Sequence, residues 1–187
     1  MTTVYFIRHA QSDHNNQDEQ TRRLSAQGKA AVAFVTSFLA DKNIAAAFSS
    51  PYQRAIDTIA DFSEKHGIAI QCFDGFREWN RQKDNSMSTE EMYRRYWADF
   101  DYRFESSESL REVQHRNIDT LCEVLDTYEG KNVIIGTHGM ALSTIINYYD
   151  PRFSYDDFCR LLPIMPLVVK MTFKDKRCLC TEQIAIE

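Results

Sequence analysis

Val4-Tyr5-Phe6-Ile7-Arg8-His9-Ala10-Gln11-Ser12 is an apolar run rich in β-branched and aromatic residues that ends abruptly in an arginine and a histidine. Such a run reads as a buried strand. Open α/β sheets keep their ligand crevices outside the carboxyl ends of their strands, so the polar pair falls where a ligand would sit. A second run, Ile44-Ala45-Ala46-Ala47-Phe48, leads into Ser49-Ser50-Pro51-Tyr52-Gln53-Arg54. There Ser50 suits an N-cap and Pro51 the first helical position, which puts Arg54 in the first turn, leaning back toward the strand ends. A third run, Val133-Ile134-Ile135-Gly136-Thr137, ends in His138-Gly139, and Gly139 allows the backbone to approach a ligand closely. Three polar groups thus leave three strands at one edge of one sheet.

Outward from these strands the chain alternates strand and helix. Helices are predicted over about 26–41, 51–65 and 110–128, the last opened by the capping box Ser109-x-x-Glu112, with another after His138. A strand is predicted around 68–73, and 166–173 and 178–184 read as an antiparallel hairpin at the sheet edge. The pattern implies an α/β three-layer sandwich, a mostly parallel central sheet with helices on both faces.

The ordered motifs resemble the histidine phosphatase superfamily, which includes the cofactor-dependent phosphoglycerate mutases. Arg8, His9, Ala10, Gln11, Ser12 and Asn15 stand where that family has Arg-His-Gly, an acidic or polar residue, Thr or Ser, and a trailing Asn. The glycine and the acidic residue differ. Leu24-Ser25-Ala26-Gln27-Gly28 is similar to the family's Leu-Thr-x-x-Gly helix start, and Ser49-Ser50-Pro51-Tyr52-Gln53-Arg54-Ala55 to its Ser-Ser-Pro-x-x-Arg-Ala. Glu78 resembles the mid-chain acid without the residues that usually follow it. Ser107-Glu108-Ser109 with Arg116 resembles Gly-Glu-Ser and its trailing arginine, and Thr137-His138-Gly139 the second histidine. The resemblance spans most of residues 4–145 and implies a phosphoglycerate mutase-like fold.

Composition fits one enzyme domain over residues 1–187, with an atypical insertion at about 79–106. At about 150 residues a domain buries roughly 70% of its unfolded surface, so a real core is available. The formal net charge of -5 argues against a nucleic-acid surface, although local cations can still bind phosphate. No stretch approaches the about 20 apolar residues of a membrane span, and no signal segment is recognisable, so a cytoplasmic protein is expected. Five cysteines without an export signal point to reduced thiols, with Cys178-Leu179-Cys180 as ordinary strand residues. Metalloprotease, P-loop and serine-hydrolase motifs are absent, as is a magnesium-type carboxylate cluster, so metal-independent chemistry without a cofactor is expected.

The segment Trp79–Phe104 breaks the alternation. It mixes Trp79, Tyr93, Tyr96, Trp97, Phe100, Tyr102 and Phe104 with Arg81, Lys83, Arg94, Arg95 and Arg103, and Ser88-x-x-Glu91 can cap a helix within it. Most of these rings read as a small helical subdomain packed on the core, while Arg94 and Arg95 are candidates for secondary anion contacts.

A phosphomonoester demands charge neutralisation and a proton for its leaving oxygen. The resemblance assigns His9 as nucleophile, Arg8, Arg54 and His138 as the clamp on the phosphoryl oxygens, and Glu78 as acid and later base. Ser12, Asn15 and Gly139 join as phosphate contacts. An ionised Glu cannot donate, so its role needs partial burial and a neighbouring phosphate dianion to favour the neutral acid. His14 in the loop after the motif reads as solvated, and His66 and His115 as helical residues outside the site. The implied substrate is a small phosphorylated metabolite or a phosphoprotein. Hydrolysis is the favoured reaction; a phosphoglycerate mutase-type transfer and an inactive phospholigand-binding module are the alternatives.

Overall fold

The computed structural model describes residues 1–82 and 84–185. Strands β1 (Thr2–Arg8), β2 (Ile44–Ser49), β3 (Ile70–Cys72), β4 (Asn132–Thr137), β5 (Leu167–Lys174) and β6 (Arg177–Ile184) form a six-stranded sheet in the order β3-β2-β4-β1-β5-β6. β1, β2, β3 and β4 pair in parallel, whereas β5 runs against both β1 and β6, so the sheet is mostly parallel. The β5–β6 pair is the edge hairpin that the sequence predicts.

Alternation along β1 divides the core. Val4 and Phe6 face one side with Phe48, Val133 and Ile135, where they meet Ile118 and Leu121 of α4 (Leu110–Thr127) and Leu142 and Ile145 of α5 (Gly139–Tyr149). Tyr5 and Ile7 face the other side with Ala47 and Ile134, against Val35 and Leu39 of α1 (Ala26–Leu39) and Ile59 and Phe62 of α2 (Gln53–His66). Both faces are therefore covered, which is the arrangement that lets a parallel strand be apolar on both sides. Truncating a ring such as fully buried Phe6 to alanine should destabilise the fold by about 3–5 kcal/mol.

Each helix start follows from local chemistry. Ser25 caps α1 by accepting from the Gly28 N–H, while its own N–H donates to the Gln11 carbonyl at 2.9 Å. A Cβ on Gly28 would meet that carbonyl oxygen at 2.0 Å, so only glycine lets the helix start close on the loop leaving β1. The capping boxes Ser88/Glu91 and Ser109/Glu112 open α3 (Thr89–Ala98) and α4, as their spacing predicts. α6 (Tyr155–Leu161), which sequence periodicity did not single out, completes the set.

α2 begins two residues later than expected, with Tyr52 rather than Ser50 at its N-cap position. The Ser50 hydroxyl accepts the Tyr52 N–H at 3.2 Å and also meets the ring of His138, and the free N–H of Gln53 is satisfied by the Gln20 carbonyl at 2.9 Å. The strand predicted over 68–73 is confined to the three residues of β3.

Beyond the two sheet-facing cores lies a third cluster built on the aromatic segment. Trp79, Met92 and Tyr96 pack with Leu110, Val113, Met140 and Phe158, and Tyr93, Trp97 and Phe100 lean on them. Lys83 lies outside the described residues.

Candidate active site

β2, β4 and β1 are adjacent, so their carboxyl ends deliver three chain segments to one place. The His9 N–H donates to the Thr137 carbonyl at 3.0 Å and the Ser50 N–H to the Gly136 carbonyl at 2.9 Å, extending the sheet's bonding just past the ends of β1 and β2. A cavity of about 330 Å³ opens above them. Its wall includes Arg8, His9, Arg54, Glu78 and Gly139, drawn from four separate parts of the chain.

His9 is buried, with its Nδ1 2.8 Å from the Ala10 carbonyl oxygen. A carbonyl only accepts, so Nδ1 carries the proton and Nε2 keeps its lone pair. Desolvation, reinforced by the positive field of Arg54, holds the imidazole pKa well below its ordinary 6.5. The ring is thus neutral near pH 7, in the tautomer a nitrogen nucleophile requires.

Arg8 is anchored from behind. Its Nη1 donates to the carbonyls of Leu161, Leu162 and Ile164 at 3.0, 2.8 and 3.2 Å, which leaves Nε and Nη2 without a hydrogen-bond partner among the described residues. Arg54 is tied to the loop before α1: Nη1 donates to the Glu19 carbonyl at 2.6 Å and Nη2 lies 2.9 Å from the Glu19 carboxylate. That carboxylate also pairs with Arg22 at 2.5 Å. Burial pulls the pKa of Arg8 and Arg54 below the usual arginine value, with nearby glutamates acting in the opposite direction, and guanidinium groups stay charged under such conditions.

His138 stands behind His9 and does not line the cavity. The two rings meet edge to face with centroids 5.3 Å apart, and His138 Nε2 is 2.7 Å from Ser50 Oγ. Its Nδ1 is buried without a partner among the described residues. Desolvation and Arg54 push its pKa well below 6.5, so the ring is neutral without ligand. Gly139 begins α5 against Arg8: a Cβ there would lie 3.3 Å from Arg8 Nε, so the close approach it permits is to the guanidinium.

Glu78 is fastened to the start of α5. Its Oε1 accepts from the N–H groups of Trp79 and Ala141 at 2.8 and 3.0 Å, while Oε2 accepts only from Met140 N–H at 3.2 Å. Oε2 is therefore the oxygen with capacity left for substrate. The chain carrying Glu78 is held by Arg116, whose guanidinium donates to the carbonyls of Gly75, Arg77 and Glu78 at 2.8, 2.7 and 3.2 Å and to the Glu108 carboxylate. Glu108 in turn takes the Asn80 N–H at 2.9 Å. Burial raises the Glu108 pKa, and the bonds from Arg116 and Asn80 outweigh it, leaving the carboxyl below its ordinary value.

Other expected contacts divide. Ser12 is buried and lines the cavity, bridged to Leu24. Asn15 does not: Asp13 Oδ1 accepts its N–H at 3.0 Å in an Asx turn, and the residue is exposed away from the cavity wall. Arg94 pairs with Glu90 at 3.0 Å and lies over Tyr155, and Arg95 lies over Tyr102, so neither reaches this cavity. His14, read as solvated, is exposed and also borders the opening. Sequence reasoning missed Glu19, Arg22 and Tyr52 at the wall; the run of acids and bases over 18–23, between two motif segments, was the available signal.

A neutral histidine at a strand end, flanked by guanidinium groups and a helix-anchored carboxylate, has the chemistry to hold a phosphate ester. The chain belongs to the histidine phosphatase superfamily (branch 1), whose family model matches residues 4–179. Uncharacterized phosphatase PhoE of Bacillus subtilis (strain 168) is 27% identical over 150 residues, covering 78% of this chain and 76% of that protein. Among solved structures, Bacillus stearothermophilus YhfR superposes with a TM-score of 0.78 at 22% identity, over 100% of this chain and 96% of that one. Entamoeba histolytica phosphoserine phosphatase in complex with 3-phosphoglyceric acid gives 0.79 at 17% identity, over 100% and 98%. At such identities the structural likeness speaks for the fold.

Proposed function

We propose that this protein is a phosphatase that hydrolyses a phosphomonoester through a phosphohistidine at His9, without a metal or other cofactor. The observation that carries the reading is the state of His9: neutral, with Nδ1–H held by the Ala10 carbonyl and Nε2 free, in a cavity shared with Arg8, Arg54 and Glu78. The Nε2 lone pair attacks phosphorus while the ester P–O bond breaks and Glu78 gives its proton to the departing oxygen. Water then attacks the phosphohistidine, Glu78 takes a proton from it, the N–P bond breaks, and orthophosphate leaves.

Arg8 and Arg54 hold the phosphoryl oxygens through both steps, and Ser12 and Gly139 lie close enough to the wall to shape that subsite. His138 acts from behind His9: bonded to Ser50 through Nε2, it supports the nucleophile's ring by edge-to-face contact. Glu108 and Arg116 position Glu78. Relatives are named as phosphatases, among them a phosphoserine phosphatase and a glucosyl-3-phosphoglycerate phosphatase, which supports hydrolysis over transfer. In this reading residues 1–187 act as one cytoplasmic domain, the 79–106 insertion sits on the leaving-group side, and a small phosphorylated metabolite fits the cavity better than a folded phosphoprotein.

A panel of phosphometabolites and phosphopeptides, assayed for orthophosphate, tests the proposal. Orthophosphate should appear in step with dephosphorylated product. Rapid primer-dependent interconversion of 3- and 2-phosphoglycerate with negligible orthophosphate would replace hydrolysis by a mutase reaction; no turnover and no ligand-dependent labelling would leave a binding module.

A further inference from the structure

Arg54 is held twice by one residue. Glu19 accepts from its Nη1 through a backbone carbonyl at 2.6 Å and from its Nη2 through a carboxylate oxygen at 2.9 Å. The other carboxylate oxygen lies 2.5 Å from Arg22 Nη2. Arg8, Arg22 and Arg54 all line the cavity, and each keeps a buried Nε–H without a partner among the described residues. The cavity thus offers donors to an anion, while a carboxylate of the protein already engages two of those guanidinium groups.

The two attachments of Glu19 differ in what fixes them. Its main chain is tied down on both sides: the Arg22 N–H donates to the Asp18 carbonyl and the Gln53 N–H to the Gln20 carbonyl, both at 2.9 Å, and Asp18 Oδ1 takes the Gln20 N–H at 2.8 Å. Its side chain is instead 54% exposed and bonds only the two arginines among the described residues. It can turn into water without moving the carbonyl that anchors Arg54 Nη1. A phosphoryl group held by Arg54 competes for the same Nη2, and repulsion between a carboxylate and a phosphate dianion opposes sharing it.

We infer that Glu19 is an internal counter-anion of the phosphoryl subsite: its carboxylate holds Arg22 and Arg54 while the subsite is empty, yields to the phosphoryl group, and weakens the grip on orthophosphate so that the product leaves. This rests on the phosphatase reading above. Affinity differences within one site lie mostly in the off-rate, so a carboxylate that lowers affinity for the product acts on its release.

Calorimetric titration with orthophosphate reads the effect without turnover. Glu19→Gln and Glu19→Ala leave the backbone contacts in place and should lower the Kd for orthophosphate by about 5- to 30-fold, the size of one partly screened charge. The gain should shrink as salt rises from about 0.05 to about 0.5 M, which a purely structural role would not produce. Arg22→Gln should weaken binding, and the double variant Glu19→Gln/Arg22→Gln, which keeps the wild-type net charge, should return close to the wild-type Kd. With an aryl phosphate as substrate, the Glu19 variants should show the same gain in KM and in inhibition by orthophosphate. A Kd unchanged or raised in both Glu19 variants, or a gain indifferent to salt, would overturn the inference and leave the carboxylate as a support for the arginines. The phosphatase reading fails separately, by absence of turnover on every ester and of label on His9 while the orthophosphate Kd is still measured; absence of orthophosphate binding in every form would overturn both.

Discussion

The Glu78 carboxylate lies 3.0 Å from the backbone N–H of Ala141, which fastens the candidate acid to the helix that begins one residue after His138. Candidate acid and second histidine are thus placed by the same turn of chain, although 60 positions separate them in sequence. The attachment also distinguishes the two oxygens of Glu78, since Oε1 accepts two N–H groups and Oε2 one.

Replacing Glu78 by Gln keeps an acceptor oxygen for Trp79 and Ala141 but removes the proton. Protonation matters only when the leaving oxygen is basic. Glu78→Gln should therefore slow hydrolysis of an alkyl phosphate by about 10²- to 10⁴-fold while an aryl phosphate with a good leaving group suffers much less. Equal damage to both would assign the proton to another group.

Arg116 makes five hydrogen bonds that hold the chain around Glu78, a geometry that a lysine ammonium cannot reproduce. Arg116→Lys should lower stability by about 1–3 kcal/mol, measured by urea unfolding. Among molecules still folded, turnover of the alkyl ester should fall by about tenfold or more, with phosphoryl transfer from the aryl ester affected less, because the displaced group is the acid. A uniform loss on both esters would mean that Arg116 acts on the phosphoryl subsite as well.

How far the sequence reached can be followed along these same residues. His9, Arg8, Arg54 and the β1, β2 and β4 strands were legible because alternation and strand ends are local signals, and each motif residue sits within a few positions of its strand. Ser50 accepts the Tyr52 N–H, as its local pattern favours, but its hydroxyl also meets a partner 88 residues away, His138, which no local pattern encodes. Arg94 and Arg95 had the right chemistry for anions, yet Glu90 and the Tyr155 and Tyr102 rings lie closer. The Glu19 carboxylate bridging Arg22 and Arg54 depends on a loop folding onto α2, and no periodicity encodes that.

The two buried histidines make a prediction for stability against pH. Both have folded pKa values well below 6.5, chiefly through desolvation, so the unfolded chain binds more protons wherever pH lies between those values and 6.5. Stability then rises with pH in that window, is complete above about 6.5, and is lost as pH falls. The slope should approach about 1.4 kcal/mol per pH unit for each histidine. Carboxylates held below their ordinary values, such as Glu108, add their loss only below about 4.5. Denaturant titrations between pH 5 and 7 should show this slope, roughly halved in His138→Gln. A flat profile across that range would mean that the rings titrate in the folded protein as they do in the unfolded chain.

The central claim is that His9 Nε2 takes the phosphoryl group, and rapid quench with ³²P-labelled phosphomonoester tests it most directly. Label should appear on the protein within a single turnover, be lost in acid and survive alkali as a phosphoramidate does, map to the peptide containing His9, and be absent from His9→Ala. Label that persists in His9→Ala, or steady turnover by that variant at the wild-type rate, would contradict the account.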